Sequence, residues 1–219
     1  MTKIMPIGGP IRPIKFSQFE QTDFVVLGRI LVFALFVILT LRILKVVISK
    51  TPLGNKEDKK IPIYHIVTGA IVSTMLFSFG WSIELIKGTA LLLILMYASI
   101  CDIQTHEVKD SVSVMIVLVA LIGIEISELP AMLFSGLFLF IFLFVCAIAS
   151  NNKLGGADVK LCGACAFVLG FQRSIAGLII GLFLSVICNL IINHKSKTKD
   201  KAYPLVPYLS VGFMLMYFF

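Results

Sequence analysis

Apolar residues run along this chain in long blocks separated by short polar breaks. The blocks cover Phe24–Ser49, Ile63–Phe79, Ile83–Cys101, Ser111–Ser127, Ala131–Ser150, Val159–Gly170, Ser174–Asn193 and Pro204–Phe219. A helix needs roughly 20 mostly apolar residues to cross a bilayer, so the pattern predicts an all-α, polytopic membrane protein with about eight transmembrane helices. Residues Met1–Asp23 are polar and broken by Pro6, Gly8, Gly9, Pro10 and Pro13, which predicts no regular structure there. The first block is longer than the apolar region of a cleavable signal and lacks a small-residue cleavage site. A retained spanning helix is expected instead. No soluble domain and no internal repeat stands out.

Composition agrees with the pattern. Hydrophobic residues fill 58% of 219 positions and charged ones 14%, too apolar a balance for a soluble domain. The net charge of +7 would suggest nucleic acid only if the basic residues formed a stripe. They fall in alternate loops instead. Lys50, Lys56, Lys59, Lys60, Lys109, Lys153, Lys195, Lys197, Lys199 and Lys201 belong to one set, and Lys3, Arg12, Lys15, Lys87 and Arg173 to the other. The bias places the first set in the cytoplasm and both termini outside, with the lipid bilayer and no nucleic acid as partner. Five cysteines lie in or beside apolar blocks and read as small packing residues. Cys162 and Cys165 have C-x-x-C spacing, but no second pair or nearby His supports a metal.

Two carboxylates interrupt this pattern. Asp158 stands where the chain re-enters an apolar block, behind Gly155, Gly156 and Ala157. Asp102 stands at the end of the third block. Both fall at cytoplasmic ends by the charge bias. Asp158 alone could be a helix N-cap, but ionisable groups at membrane depth point to function. Two carboxylates at one depth suffice for aspartyl proteolysis: the pair shares a proton, one member activating water while the other donates. The same two groups would also serve a proton-coupled solute transporter or ion pathway. Small residues at Gly155, Gly156, Ala157, Cys162, Gly163 and Ala166 would let helix backbones approach closely.

The stretch Gly155-Gly156-Ala157-Asp158-Val159-Lys160-Leu161 resembles the G-x-G-D-x-K-L segment of type IV prepilin peptidases, the GxGD class of membrane aspartyl proteases. Asp102 to Val108 resembles their first motif, an Asp followed six residues later by an aliphatic residue and usually Pro. Tyr203-Pro204-Leu205-Val206-Pro207 is similar to their P-x-x-P segment opening the last helix. The resemblance covers Ile83 to Phe219. It implies a six-helix catalytic core over residues 83–219, preceded by a two-helix extension over 1–82. It also implies catalytic Asp102 and Asp158, supporting Gly155, Gly156, Ala157, Lys160, Pro204 and Pro207, and no metal or cofactor. The implied substrates are type IV pilin-like or flagellin-like precursors, whose basic leader is cut at the cytoplasmic face of the inner membrane.

Two departures qualify the match: Ala157 replaces the second Gly, and Lys109 replaces the usual Pro, which would loosen the turn after Asp102. Longer members carry a four-cysteine zinc loop and a methyltransferase region. Here the loop Lys50–Lys60 has no cysteine, so a short form acting as peptidase only, without methyl transfer, is expected. Presenilin-like GxGD enzymes carry a Tyr-Asp pair, whereas Cys101 precedes Asp102 here.

The remaining polar residues carry structural expectations. His65, His106 and His194 read as interfacial histidines. Lys160 points away from Asp158 and snorkels to headgroups. Glu125 and Glu128 lie at the opposite surface, and Glu84 with Lys87 is an i,i+3 pair. Helix dipoles suggest roles for the dyad. A helix C-terminus at Asp102 favours the acid and a helix N-terminus at Asp158 favours the carboxylate, making Asp158 the base and Asp102 the initial proton donor.

Overall fold

The computed structural model describes residues 34–43, 45, 61–150, 154–195 and 204–219. The N-terminal tail, the ends of the first apolar block, the loop Lys50–Lys60, Asn151–Lys153 and the loop lysines from Lys197 to Lys201 lie outside the described residues. Those described form helices α1 (Ala34–Ile43), α2 (Ile61–Phe79), α3 (Ile83–Thr105), α4 (Asp110–Ala120), α5 (Leu129–Ala149), α6 (Gly156–Leu169), α7 (Phe171–Lys195) and α8 (Val206–Phe218). No strand occurs among them. Three stretches, Ile83–Thr105, Ile126–Ala149 and Phe171–Ile191, are long and apolar enough to cross a membrane.

α6 occupies the centre. Its residues from Leu161 to Ala166 are buried without a break, and α4, α5, α7 and α8 all pack on it. That all-round burial explains its small residues: Cys162, Gly163, Ala164, Cys165 and Ala166 leave room for neighbours on every side. α3 packs on α8 and α4, and α2 on α3. The outer faces of α5 and α7 stay apolar and exposed, among them Phe134, Phe138 and Phe142 on α5 and Phe183 and Val186 on α7. Exposed apolar surface on this scale suits lipid, not water.

Two elements depart from the pattern of blocks. Ser111–Ser127 is an α-helix over only its first part: α4 has 11 residues, a length of about 16 Å. Gly123 lies in the turn after α4, at φ +65, with Ile83 so near that a Cβ would sit 2.5 Å from its Cγ2. Only glycine meets both demands. The third block also runs on to Thr105, so Asp102 lies inside the last turn of α3 and not beyond it.

The turn between α3 and α4 keeps its shape without proline. Lys109 is the α4 N-cap at φ −68 and ψ 140, within the range that proline itself would impose. His106 caps α3 in the left-handed region at φ 53, its N–H donating to the Asp102 carbonyl at 3.0 Å. At the start of α3, the Ser82 hydroxyl caps the Leu85 N–H at 3.3 Å, while Glu84 and Lys87 make no ion pair with each other.

A signal in the sequence also governs how α7 meets α8. Gly177-x-x-x-Gly181 on α7 faces Gly212 on α8. It is a small-x-x-x-small pattern of the kind that brings membrane helices into backbone contact.

Candidate active site

The C-terminal end of α3 and the N-terminal ends of α6 and α8 meet at one end of the bundle. Asp102 is 7% exposed, and its Oδ2 accepts a hydrogen bond from the Val206 N–H at 2.9 Å. Val206 is the first residue of α8, where N–H groups have no partner inside the helix. The flanking residues explain why this donor is free and aimed. Pro207 follows at the second position, where a missing N–H costs nothing. The N–H groups of Tyr208 and Leu209 both donate to the Leu205 carbonyl, at 3.1 and 3.2 Å. Pro204 precedes the helix outside its first turn, and the two prolines stiffen the approach by fixing φ.

One turn deeper, the buried hydroxyls of Ser99 and Ser210 are 3.0 Å apart and hydrogen-bonded. They lie three residues before Asp102 and four after Val206, so a second polar contact clamps α3 to α8 beside the first. Buried hydroxyls need such partners. No sequence pattern paired them.

Asp158 is the third residue of α6, in its first turn, and half-buried. Its carboxyl turns back over the helix start toward the backbone of Gly155, the N-cap. This is half of a capping box, with the third helical residue serving the N-cap N–H. The expectation that Asp158 could itself be the N-cap gives way to this arrangement. A Cβ at Gly155 would stand 2.9 Å from Asp158 Oδ2, whereas one at Gly156 would meet nothing within 4 Å. The two glycines therefore do different things: Gly155 leaves space for the carboxyl, and Gly156 lies open. Gly155→Ala is expected to displace the carboxyl by a few tenths of an ångström and lower turnover about tenfold. Gly156→Ala is expected to leave it unchanged; steady-state kinetics on both variants is the check.

The two carboxylates are brought together, since the charge of Asp102 acts on Asp158 across the gap between α3 and α6. Lys160 departs from expectation. Its Nζ lies 2.8 Å from Asp110 Oδ2 at the start of α4, with side chains 47% and 71% exposed. It ties α6 to α4 and does not reach for headgroups, and a pair this exposed is worth at most about 1 kcal/mol. Glu125 and Glu128 are exposed around the turn before α5, at the far end from the carboxylates. Cys162 and Cys165 are buried inside α6 as packing residues.

A helical, multi-pass membrane protein carrying two interacting carboxylates at one end of its bundle is the class that fold and site define. The model of the type IV leader peptidase family matches residues 89–192, a stretch that holds both Asp102 and Asp158. Over this segment, a little under half of its length, the chain is similar to that family, and the similarity supports the activity class of a peptidase. Over 171 residues it is 22% identical to the prepilin leader peptidase/N-methyltransferase of Bacillus subtilis (strain 168), covering 76% of this chain and 68% of that protein. No solved structure matches. These findings favour the peptidase over a transport pathway.

Proposed function

We propose that the chain is an aspartyl endopeptidase of the inner membrane that removes the basic leader from type IV pilin-like or flagellin-like precursors at the cytoplasmic face. The observation that carries this is the convergence of Asp102 and Asp158 from separate helices at one end of the bundle, inside the matched family segment. That end also carries Lys109 and Lys160, in keeping with a cytoplasmic orientation. Residues 83–219 act as the catalytic core of six helices, and residues 1–82 as an accessory extension with two more. The cysteine-free loop Lys50–Lys60 favours cleavage without methyl transfer.

The roles within the dyad follow from the α8 contact. N–H donors stabilise an ionised carboxylate over the neutral acid; Asp158 faces one, from Gly155, whereas Asp102 faces two, from Val206 at 2.9 Å and from Leu205. Asp102 is then the base that draws a proton from water, and Asp158 supplies a proton to the leaving amine. This reverses the assignment from the dipoles of α3 and α6 alone, because the positive end of α8 also points at Asp102.

The reading is tested with purified enzyme in vesicles and a precursor carrying a Lys-rich leader. Mass spectrometry should show the leader lost at its junction with the apolar segment. An intact precursor would refute the reading. Replacing Val206 by its hydroxy acid turns the donor N–H into an ester oxygen. Turnover should fall about ten- to a hundredfold with KM little changed, the size of a hydrogen bond to a charged group. Unchanged or faster turnover would restore Asp158 as the base.

A further inference from the structure

Hydrogen bonds join α3 to α8 at both ends of their contact. At the catalytic end the Val206 N–H meets Asp102, and one turn deeper the buried hydroxyls of Ser99 and Ser210 meet. At the far end the Tyr217 hydroxyl donates to the Glu84 carbonyl at 2.7 Å. A serine hydroxyl has one hydrogen to give. That of Ser99 goes to the Leu95 carbonyl at 2.7 Å, so Ser210 supplies the hydrogen that joins the two. A serine inside a helix commonly returns its hydrogen to the carbonyl four residues earlier, as Ser99 does. For Ser210 that carbonyl belongs to Val206, and Ser210 gives its hydrogen to α3 instead. The rest of the interface, with Leu209 and Phe213 buried on α8, is apolar. Such packing is non-directional, and it sets neither the rotation of α8 nor its height as sharply as hydrogen bonds do.

We propose that Ser99 and Ser210 are positioning residues of the carboxylate pair: their bond fixes the rotation and height at which α8 presents the Val206 N–H to Asp102. The proposal rests on the reading of the protein as a leader peptidase with Asp102 as a catalytic group, and adds what holds that group's donor in place. Residues three or four apart stand on one face of a helix, so the two contacts are stacked about one turn, or 5 Å, apart. A helix pinned at one point rolls about it, and a second pin a turn away stops the roll. Without Ser99, the Ser210 hydroxyl turns back to the Val206 carbonyl. Back-bonding of this kind bends a helix, here at the residue whose N–H faces Asp102. α8 stays docked through Tyr217 and through the close approach of Gly212 to α7. Loss of the pair therefore reaches the chemistry without unfolding the chain.

The test pairs two measurements on the full chain: amide NMR of valine-labelled protein in micelles, and cleavage kinetics in vesicles with a precursor carrying a Lys-rich leader. The Val206 amide signal is assigned by its loss in Val206→Ile, and its bond to the carboxylate shifts the proton downfield. In Ser210→Ala that signal should move upfield, and kcat should fall about three- to tenfold with KM unchanged. Ser99→Ala should do the same, and the double variant should be no worse than either. With Val206 replaced by its hydroxy acid there is no donor left to hold, so adding Ser210→Ala should bring no further loss. Tyr217→Phe removes an α3–α8 bond at the far end. It should lower the unfolding temperature and leave both kcat and the Val206 signal as they are. A Val206 signal or a kcat that does not move in Ser210→Ala, or an equal fall in kcat in Tyr217→Phe, would overturn the positioning role while the wild type still cleaves. A wild type that leaves the precursor uncut removes the peptidase reading instead, and the amide signal then decides by itself whether the serines hold the donor.

Discussion

With Asp102 or Asp158 replaced by Asn, leader removal should fall by about a thousandfold or more, while the protein stays folded. General acid or base catalysis by a positioned group contributes about 10²–10⁴-fold, and here each carboxyl would handle one of the two protons that move. Asn keeps the shape of Asp and an acceptor oxygen, so in Asp102→Asn the Val206 N–H retains a partner and α8 keeps its seat. The buried site therefore loses proton transfer without losing its hydrogen bond. Because the two groups act as a unit, the double variant should be scarcely worse than either single one. Glu128→Gln, at the exposed far end, serves as the control. A gel-shift assay of precursor processing, paired with thermal unfolding of each variant, decides the matter. Wild-type processing by either single variant would remove the aspartyl mechanism.

Gly212→Leu is expected to cost the most stability of any change considered. A Cβ at Gly212 would run into the Gly177 carbonyl and stand 2.7 Å from the Gly181 nitrogen and 3.1 Å from its Cα. These are backbone atoms on the facing helix, so no rotamer change can make way and α7 must part from α8. Even Gly212→Ala should cost about 1–3 kcal/mol, the usual range for overpacking, and Leu more. The damage also reaches the dyad. Ser210 is two residues away and holds Ser99, and the same helix presents Val206 to Asp102. Detergent-solubilised Gly212→Leu should unfold at lower temperature and show turnover lost in the fraction that remains folded. Gly156→Ala, which meets no neighbour, should match the wild type. Equal unfolding of Gly212→Leu and wild type would show that the α7–α8 contact is not as close as described.

The class of fold was legible because hydropathy is a local property that adds along the chain. Each long apolar block from Ile63 onward contains a helix of the structure. The two Asp residues were legible for the same reason: a carboxylate at the edge of an apolar block is conspicuous wherever the block folds. Gly177-x-x-x-Gly181 could also have been read as a close-packing signal.

What the chain alone determined, then, is its helices, its lipid-facing composition and the pair of acidic residues at their ends. Tertiary structure decided the rest, because the deciding partners are distant in sequence. Val206 reaches Asp102 across 104 positions and Ser210 reaches Ser99 across 111. Lys160 finds Asp110 across 50, so its ion pair could not be foreseen from a helix-face argument confined to α6. For the dyad, the dipoles of α3 and α6 are properties of the helices that carry the carboxyls, whereas the Val206 N–H that meets Asp102 belongs to a third helix, and only the packing of α8 against α3 brings it there.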